Sequence, residues 1–443
     1  MDRERLVIIV TQLDMQRAGN QILFRTVQGY LNKRYKVILF TSNPESDSNR
    51  ADYKTLLGKH VEDLVVYRFD PLFRKLWKIL RIIKRIEFVL KICQKKNTNV
   101  PKVEETVPFV DTTLKASLIG FLSQVSFFLG GFLKLFKLVR MYNPVVIYGY
   151  EIYGAPLALC IAKMFHIPLI TKYQGTIAYP IIEKYKNWAW FKIPHHIIGL
   201  KSSIFANLVI MENDGTKGKD VLIKLGVSER NIRFWIDGVK KDIYILGFDK
   251  RKFHEKLCIN ENAKIILLLC KLKKWKRVDR AIVAMEEVVK KYKDAVLVIV
   301  GDGPERENLK LLVEKLNLND NVLFVGFVPH EEISKYLNAC DIFLSLNDYS
   351  NLCNPVLEAL ECGKAIITID DGSTKEILVN NQNAILIKKD ELSKKLSDAI
   401  LRLLTDDNFR ENLEKNAKIF AEKHLLSWGE RMELEIKEVE KVL

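Results

Sequence analysis

Short apolar segments alternate with helical segments twice along this 443-residue chain, and no other feature constrains its fold as strongly. Each segment is followed by a helical stretch or a loop, as the strands of parallel sheets are. The predicted strands are Leu6–Val10, Lys36–Phe40, Val145–Tyr148, Pro168–Tyr173, Leu208–Met211, Ile232–Trp235, Lys264–Cys270, Ala295–Val300, Val322–Val325, Ile342–Leu346, Ala365–Ile369 and Ala384–Ile387. The predicted class is therefore α/β, with doubly wound parallel sheets.

The length of the chain favours two domains, because a single hydrophobic core rarely extends over so many residues. The pattern places the first domain at residues 1–238 and the second at 239–426, joined near Gly238–Gly247. The last segment, 427–443, reads as one amphipathic helix. Ligands of such sheets bind at the carboxyl ends of the strands, and we expect those ends to face a central cleft.

Composition narrows the class of protein further. Hydrophobic residues make up 48% of the chain, which suits globular cores, and the formal net charge is +15. This charge favours acidic partners such as anionic lipid, phosphorylated substrates or nucleic acid, or else a solvated basic surface around one anionic site. The seven cysteines are scattered without metal-binding spacing, which favours a reducing, cytoplasmic location. The chain enters a strand at Leu6, so we expect no signal peptide.

The segment Leu344–Thr368 combines a strand, a polar loop, a helix and a second strand. Asn354 is predicted to cap the helix, with Pro355 at its first position and Gly363 at its end. A loop of this kind presents backbone N–H groups at a helix N-terminus, which suits an anion. Glu358 lies one turn inside the helix, where it can accept hydrogen bonds from hydroxyl groups of the same ligand.

A second segment, Cys270–Asp279, places five cations within seven residues between a buried strand and a helix. Cations at a helix N-terminus suit a diphosphate leaving group, although a solvated basic loop has the same composition. The chain contains no Asp-x-Asp, a carboxylate pair that can hold a divalent metal ion on a diphosphate. We therefore expect metal-independent chemistry with no metal site.

Together these segments resemble the retaining glycosyltransferases of family 4, and the resemblance extends over nearly the whole chain. It implies the GT-B fold: two Rossmann-like doubly wound domains that face a central cleft, with the terminal helix crossing back to the first domain. It also implies a donor site formed by a loop and helix at Asn351, Leu352, Asn354 and Glu358, with Glu358 on the nucleotide ribose. Lys271 replaces an arginine of the family, and Lys276 matches its lysine.

The resemblance assigns roles to three further positions. Gly19 matches a glycine-rich loop that approaches donor and acceptor, and the backbone around Val328 is expected to meet the base. Because the base is expected to contact backbone groups, the side chains do not indicate whether the donor is a UDP-, GDP- or ADP-sugar. The resemblance implies no cofactor besides this donor. Gln174 stands where the family commonly has a histidine beside the donor sugar, and it cannot carry a proton.

The family usually carries a further glutamate eight residues before the position of Glu358, where this chain has Ser350. In the family that glutamate contacts the hydroxyl groups of the donor sugar. Three interpretations are open: polar neighbours such as Asp348 and Asn351 substitute for it, the donor sugar differs, or catalysis is lost while nucleotide binding persists. We favour substitution, which keeps Lys271, Lys276, Ser350 and Gln174 as the catalytic candidates.

Two segments of the first domain suggest a membrane surface. Leu72–Leu90 has the pattern of a basic amphipathic helix, and Ala116–Leu133 has no charged residue. The second segment fits a core helix of the domain, an interfacial anchor or a span. Docking would make the protein peripheral at the inner face of the membrane.

We expect a glycosyltransferase that moves a hexose, with retention, from a nucleotide diphosphate sugar to a lipid-linked or polysaccharide glycan acceptor. The alternatives are a non-catalytic nucleotide-sugar-binding partner subunit, a sugar epimerase of the same fold, and a basic nucleic-acid-binding protein. The last rests only on net charge and lacks a recognisable binding module.

Overall fold

The computed structural model describes residues 5–13, 21–42, 62–71 and 113–443, except 244 and 246. The predictions at Gly19 and Leu72–Leu90 lie outside the described residues. The chain divides into two compact units. The first comprises Met1–Met211, Gly218–Phe234 and Met432–Leu443, and the second comprises Glu212–Lys217 and Trp235–Arg431.

A seven-stranded sheet forms the core of the first unit, in the order β3-β2-β1-β4-β5-β6-β7. Its strands are β1 (Leu6–Thr11), β2 (Lys36–Thr41), β3 (Leu64–Arg68), β4 (Val146–Tyr150), β5 (Leu169–Tyr173), β6 (Leu208–Glu212) and β7 (Ile232–Trp235). The pairings from β3 through β6 are parallel. Apolar side chains of β1, β4 and the following helices pack into one buried cluster.

Helices pack around this sheet, as the alternating pattern predicts. They are α1 (Gln21–Asn32), α2 (Leu114–Tyr142), α3 (Glu151–Phe165), α4 (Ala178–Tyr185), α5 (Ala189–Lys192), α6 (Pro194–Lys201) and α7 (Gly218–Lys224). The first turn of α3 comes close to β1, where a Cβ at Gly154 would lie 1.9 Å from the carbonyl oxygen of Val10. Glycine permits this approach.

A six-stranded parallel sheet forms the core of the second unit, in the order β10-β9-β8-β11-β12-β13. Its strands are β8 (Lys264–Leu269), β9 (Ala295–Val300), β10 (Val322–Gly326), β11 (Ile342–Ser345), β12 (Ala365–Ile369) and β13 (Ile385–Ile387). Its helices are α8 (Lys250–Lys256), α9 (Val278–Lys291), α10 (Arg306–Lys315), α11 (His330–Ala339), α12 (Asn354–Glu361), α13 (Leu392–Thr405) and α14 (Asp407–His424). Separate apolar clusters cover the two faces of the sheet.

The last helix, α15 (Trp428–Glu440), begins in the second unit and ends in the first. Its C-terminal part is anchored in the first unit by a buried ion pair, in which Lys172 Nζ lies 2.8 Å from Glu435 Oε2. Close packing adds to this anchor, because a Cβ at Gly29 would lie 2.9 Å from side-chain atoms of Met432. The predicted return of the terminal helix to the first domain is thus realised by specific contacts.

Helix α2 is longer than the uncharged segment Ala116–Leu133 suggested. Thr113 caps its N-terminus by accepting a hydrogen bond from the Ala116 N–H at 3.3 Å, and Asn143 ends it in the left-handed region at φ 44°. Within the described part of the chain, it is the helix long and apolar enough to cross a bilayer. Only 33% of its most apolar 18-residue stretch is buried inside the protein.

Candidate functional site

Two loops that carry predicted site residues lie side by side at the carboxyl edge of the second sheet. The basic loop, residues 270–277, follows β8, and the polar loop, residues 347–353, follows the neighbouring strand β11. The Asp348 N–H donates a 2.9 Å hydrogen bond to the Trp275 carbonyl oxygen. The rings of Trp275 and Tyr349 stack at 4.5 Å between centroids. The two predicted segments therefore form one surface.

The cations of the basic loop divide into two groups. Arg277 forms ion pairs within the second unit: its guanidinium lies 2.8 Å from Asp279 and 3.4 Å from Asp348. By contrast, the four lysines have no acidic partner among the described residues; they are Lys271, Lys273, Lys274 and Lys276. Lys276 Nζ lies 4.1 Å from the centroid of the Trp275 ring. The loop thus holds several positive charges that the surrounding chain does not neutralise.

Asp348 is the internal counter-ion of this region. Its carboxylate is buried and lies 2.8 Å from Arg280 and 3.7 Å from Lys389, in addition to the contact with Arg277. A carboxylate paired with several cations is held in place and its charge is offset. We therefore infer that Asp348 organises the polar loop and does not replace the missing glutamate at Ser350.

Two glycines after β9 allow the chain to pass closely under the basic loop. A Cβ at Gly301 would lie 1.9 Å from the Cys270 carbonyl oxygen, and one at Gly303 would lie 2.4 Å from that of Leu272. These two glycines therefore support the backbone beneath the basic loop. Helix α10 begins at Arg306, and Pro304 lies in the preceding turn.

The polar loop delivers the N-terminus of α12 without a side-chain cap. Asn354 was predicted as the cap, and this is wrong: Cys353 occupies that position in extended geometry. The Cys353 carbonyl oxygen accepts from the Val356 and Leu357 N–H groups at 2.8 and 3.3 Å, so Asn354 is already helical. The N–H groups of Cys353 and Asn354 have no acceptor within the described residues. They are free to bind an anion.

The Cys270 thiol is affected by both Lys276 and Cys353, the residue before α12. Burial raises the pKa of Cys270 to about 12, while the positive charge of Lys276 lowers it and the nearby Cys353 thiol raises it. Both groups are therefore close to Cys270. Lys276 and Cys353, the residue before α12, therefore both lie within electrostatic range of the Cys270 thiol.

Glu358 is 8% exposed and has a partner that sequence reasoning missed. Its Oε1 lies 3.0 Å from Nε2 of His330, which begins α11 two residues after Val328. Hydrogen bonding to Glu358 raises the pKa of His330. The structure thereby joins two predicted nucleotide contacts, Val328 and Glu358. The only sequence signal was a histidine directly after the Val328-Pro329 strand end.

Ser350 is also partnered by a residue that the sequence did not indicate. Ser350 adopts the left-handed region at φ 61°, an uncommon conformation for a non-glycine residue. Its hydroxyl group lies close enough to the Asp214 carboxylate to lower the pKa of Asp214, against the larger effect of burial. Asp214 belongs to the segment Glu212–Lys217, which folds with the second unit although it precedes that domain in sequence. A carboxylate therefore lies next to the position where the family carries glutamate.

The other two predicted loop residues, Asn351 and Leu352, are internal. The Asn351 amide donates to the Asn347 carbonyl oxygen at 2.9 Å and to Asp371 Oδ2 at 3.0 Å. Leu352 lies in the apolar core, and its N–H donates to the Asp214 carbonyl oxygen at 2.9 Å. Their observed contacts fix the shape of the loop.

Asp214 and Asp371 form an unusual acidic environment at this loop. Burial raises the pKa of Asp371 to about 7, with a smaller contribution from the charge of Asp214. Burial also raises the pKa of Asp214, against hydrogen bonds from Thr216 and Ser350. Perturbed carboxyl groups of this kind are common at functional sites. Within the described ranges, no three His, Cys, Asp or Glu side chains are grouped as metal ligands.

Gln174 lies at the end of β5 in the first unit, where neighbouring polar groups fix its orientation. Its N–H donates to Glu151 Oε1 at 2.8 Å, and its Nε2 donates to the Tyr150 hydroxyl at 2.7 Å. Glu151 begins α3 with φ 60°, which is again uncommon for a non-glycine residue. Glu151 and Tyr150 follow a predicted strand, but sequence reasoning did not single them out.

Comparison with known proteins agrees with the predicted resemblance. Residues 249–420 match the family Glycosyl transferases group 1, which confirms the resemblance for the second unit. An uncharacterized glycosyltransferase of Methanocaldococcus jannaschii is 30% identical over 208 residues, or 46% of this chain and 51% of that protein. The N-acetyl-alpha-D-glucosaminyl L-malate synthase of Bacillus anthracis is 28% identical over 170 residues, or 38% and 44%. The chain spans about half the length of these relatives.

The predicted GT-B fold is confirmed by solved structures. The crystal structure of Anabaena HepE in complex with UDP superposes with a TM-score of 0.69 and 16% identity. The superposition covers 99% of this chain and 100% of that one. At this identity the likeness establishes the two-domain, parallel-sheet architecture and nothing about the ligand.

Proposed function

We propose that this chain, which carries a glycosyl transferases group 1 domain, transfers a hexose from a nucleotide diphosphate sugar to a lipid-linked or polysaccharide glycan acceptor, with retention and without a metal ion. One observation carries the proposal: lysines without an acidic partner among the described residues lie beside a helix N-terminus that has no side-chain cap, at the carboxyl edge of a parallel sheet. Such an arrangement suits an external anion.

A diphosphate fits this arrangement. Lys271 and Lys276 provide point charges, and the N–H groups of Cys353 and Asn354 provide directional donors. During transfer, the bond between the anomeric carbon and the diphosphate oxygen breaks, and negative charge accumulates on the leaving group. Positive groups held in advance at that position lower the barrier. This supports a metal-independent reaction.

The nucleoside half of the donor fits the neighbouring pair of Glu358 and His330. A carboxylate with little exposure, oriented by a histidine 3.0 Å away, suits the two hydroxyl groups of a ribose. The exposed chain around Val328 leaves backbone groups for the base. Because HepE was solved in complex with UDP, UDP-sugars are the first donors to test.

The sugar half of the donor is assigned to Ser350 and Asp214. We infer that Asp214 supplies the negative charge that the family's glutamate would bring, through or beside the Ser350 hydroxyl group. Retention follows a front-face route: the acceptor hydroxyl forms the new bond to the anomeric carbon, and its proton passes to the departing diphosphate. No covalent enzyme intermediate is needed.

The test is donor consumption in EDTA. The protein is incubated with UDP-, GDP- and ADP-hexoses and a glycan acceptor, released nucleotide is measured, and the anomeric configuration of the product is read by NMR. We expect one nucleotide class to be consumed with retention. Glu358→Ala should raise KM for that donor, whereas Glu307→Ala, at an exposed position of the same unit, should match wild type.

Each alternative gives a different result in this assay. Nucleotide binding without turnover would favour the partner-subunit alternative, and consumption without acceptor would favour an epimerase. An absolute requirement for Mg²⁺ or Mn²⁺ would contradict the metal-independent mechanism. Failure to bind any nucleotide, together with steeply salt-dependent RNA or DNA binding, would favour the nucleic-acid alternative.

A further inference from the structure

The outer face of α2 exposes a row of leucines. Five of them are between 46% and 79% exposed: Leu114, Leu118, Leu122, Leu129 and Leu133. Their spacing of four or seven residues places them on one side of the helix. At about 1.5 Å per residue, the row is about 28 Å long. An exposed apolar strip of this length is unusual on the surface of a soluble protein.

The inner face of the same helix is firmly bound to the first unit. The Gln124 side chain donates to the carbonyl oxygens of Ile152 and His195, at 2.7 and 2.9 Å. At Gly120, an added Cβ would lie 2.3 Å from the His195 ring. These contacts fix α2 as a helix of the first unit, with the leucine row on the side away from these contacts. A bilayer-spanning orientation would have to break them.

Positive charge frames the leucine row. Helix α2 contains no Asp or Glu; it has Lys115 near its start and Lys134, Lys137 and Arg140 near its end. The last three have no ion pair among the described residues. Long basic side chains can reach outward from an apolar surface to anionic head groups.

Aromatic side chains extend the surface beside the helix. Helix α5 is joined to α2 by a hydrogen bond from the Ser117 hydroxyl to the Lys192 carbonyl oxygen. Trp188 and Phe191, which precede Lys192 in the chain, are both exposed, with ring centroids 5.4 Å apart. Exposed tryptophan next to lysine is typical of surfaces that enter the head-group region of a bilayer.

We propose that the α2 surface, formed by the leucine row, its basic ends and the Trp188–Phe191 pair, docks on an anionic lipid bilayer. The helix then lies in the plane of the membrane, with its leucines toward the acyl chains and its basic residues at the head groups. We favour a lipid bilayer over a protein partner because the surface combines apolar and cationic groups and the helix carries no acidic residue. Anionic bilayers offer both an apolar interior and negatively charged head groups. Docking does not depend on the transfer reaction.

The experiment is co-sedimentation of the full chain with vesicles of phosphatidylcholine alone or mixed with phosphatidylglycerol. Two variants separate the contributions: Leu118→Gln/Leu129→Gln/Leu133→Gln and Lys134→Gln/Lys137→Gln/Arg140→Gln. The matched control is Leu311→Gln, at a position 62% exposed in the second unit. All substituted positions are exposed, so circular dichroism should show wild-type folding.

We expect wild type and Leu311→Gln to bind the anionic vesicles at low salt and the neutral vesicles much more weakly. The triple charge variant should bind about 100-fold more weakly, since each basic residue near the surface contributes about 1 kcal/mol. The affinity of the leucine variant for anionic vesicles should be at least about tenfold lower than that of wild type.

Three outcomes would overturn the proposal. They are equal binding to neutral and anionic vesicles, unchanged binding of the leucine variant, and vesicle-free self-association that the leucine substitutions abolish, which would make the occupant a second copy. Nucleotide binding is measured in parallel. A chain that docks but binds no nucleotide would contradict the proposed function alone, and the reverse would contradict docking alone.

Discussion

The lysines of the two sheets differ in their ion-pair partners. Lys172, within β5 of the first unit, is buried and fully matched by Glu435 and Thr26. Lys271 and Lys276, directly after β8 of the second unit, have no acidic partner among the described residues. The first cation is part of the fold, and the second pair is available to a ligand. The partners of a cation therefore indicate its role better than its position after a strand does.

The network around Lys172 shows how completely the chain uses its own polar groups there. Tyr148 donates to Glu435 at 3.4 Å, and the hydroxyl groups of Tyr148 and Tyr30 lie 2.6 Å apart. Burial raises the pKa of both tyrosines well above the ordinary value. Because burying charge is costly, each member depends on the others.

The largest effect should come from breaking this network. Glu435→Ala leaves Lys172 buried without its counter-ion, and we expect the free energy of unfolding to fall by about 3–5 kcal/mol. The matched control is Glu433→Ala on the same helix, whose partner Lys33 is exposed; it should cost less than about 1 kcal/mol. Denaturant titration measures both. Equal losses would contradict the structural role of the buried pair.

The reverse pattern is expected at the second sheet. Lys276→Ala should lower kcat by about 10²–10³-fold, as removal of one preorganised group that stabilises developing charge does. Its free energy of unfolding should stay within about 0.5 kcal/mol of wild type, because Lys276 makes no ion pair with any described residue. Lys290→Ala, an exposed lysine on α9, serves as the control. Loss of stability without loss of turnover would reverse the assignment.

A smaller effect should distinguish Asp214 from Ser350. Asp214→Asn removes a charge, and we expect turnover to fall about 10–100-fold, the equivalent of one charged hydrogen bond of about 1.5–3 kcal/mol. Ser350→Ala removes a neutral group, and its turnover should be at most about tenfold lower than that of wild type. Steady-state kinetics with the identified donor measure both. If both variants turn over like wild type, neither residue belongs to the sugar site.

The remaining predictions concern pH, and the sign of the pH dependence differs between the units. His330 has a raised pKa, so its protonated form stabilises the fold below the ordinary value of about 6.5, and this contribution is lost as pH rises through the raised pKa. Because His330 is partly exposed, it should amount to less than about 1 kcal/mol. The stability advantage of wild type over His330→Asn should therefore be larger at pH 6 than at pH 9.

The first unit should respond in the opposite direction. Burial lowers the pKa of His195 to about 4 and that of His196 to about 3. Their neutral forms stabilise the fold above about pH 6.5, and this contribution is lost as pH falls toward those values. Thermal unfolding of wild type and His196→Gln between pH 7 and pH 4 measures it. A flat difference would mean that His196 is not buried as a neutral group.

The sequence predicted local structure well and side-chain partners poorly. Most strands begin and end within two residues of their predicted limits, because apolar runs record burial directly. The strand Leu64–Arg68 was missed: it is an edge strand with one neighbour, so its residues are largely half-buried and its apolar pattern is weak. Helix α3 starts directly after β4 at Glu151, whose positive φ no local sequence pattern indicates.

The candidate site shows the same limit. Lys276 and Glu358 could be selected because local pattern and family resemblance mark them. His330, which contacts Glu358, is 28 residues away from it, and Asp214, which contacts Ser350, lies in another part of the chain. Local periodicity carries no information about such pairs. Nor could composition separate Arg277, paired inside the loop, from the lysines around it.

The most direct test of the central claim is calorimetric binding of UDP, UMP and uridine, in EDTA, to wild type, Lys276→Ala and Glu358→Ala, with the GDP and ADP series run alongside. If unpaired lysines and the α12 N-terminus hold a diphosphate, one nucleoside diphosphate should bind wild type more tightly than its monophosphate. Lys276→Ala should narrow that difference, whereas Glu358→Ala should weaken the whole series. Equal affinity for diphosphate and monophosphate in wild type, or an unchanged difference in Lys276→Ala, would contradict the account.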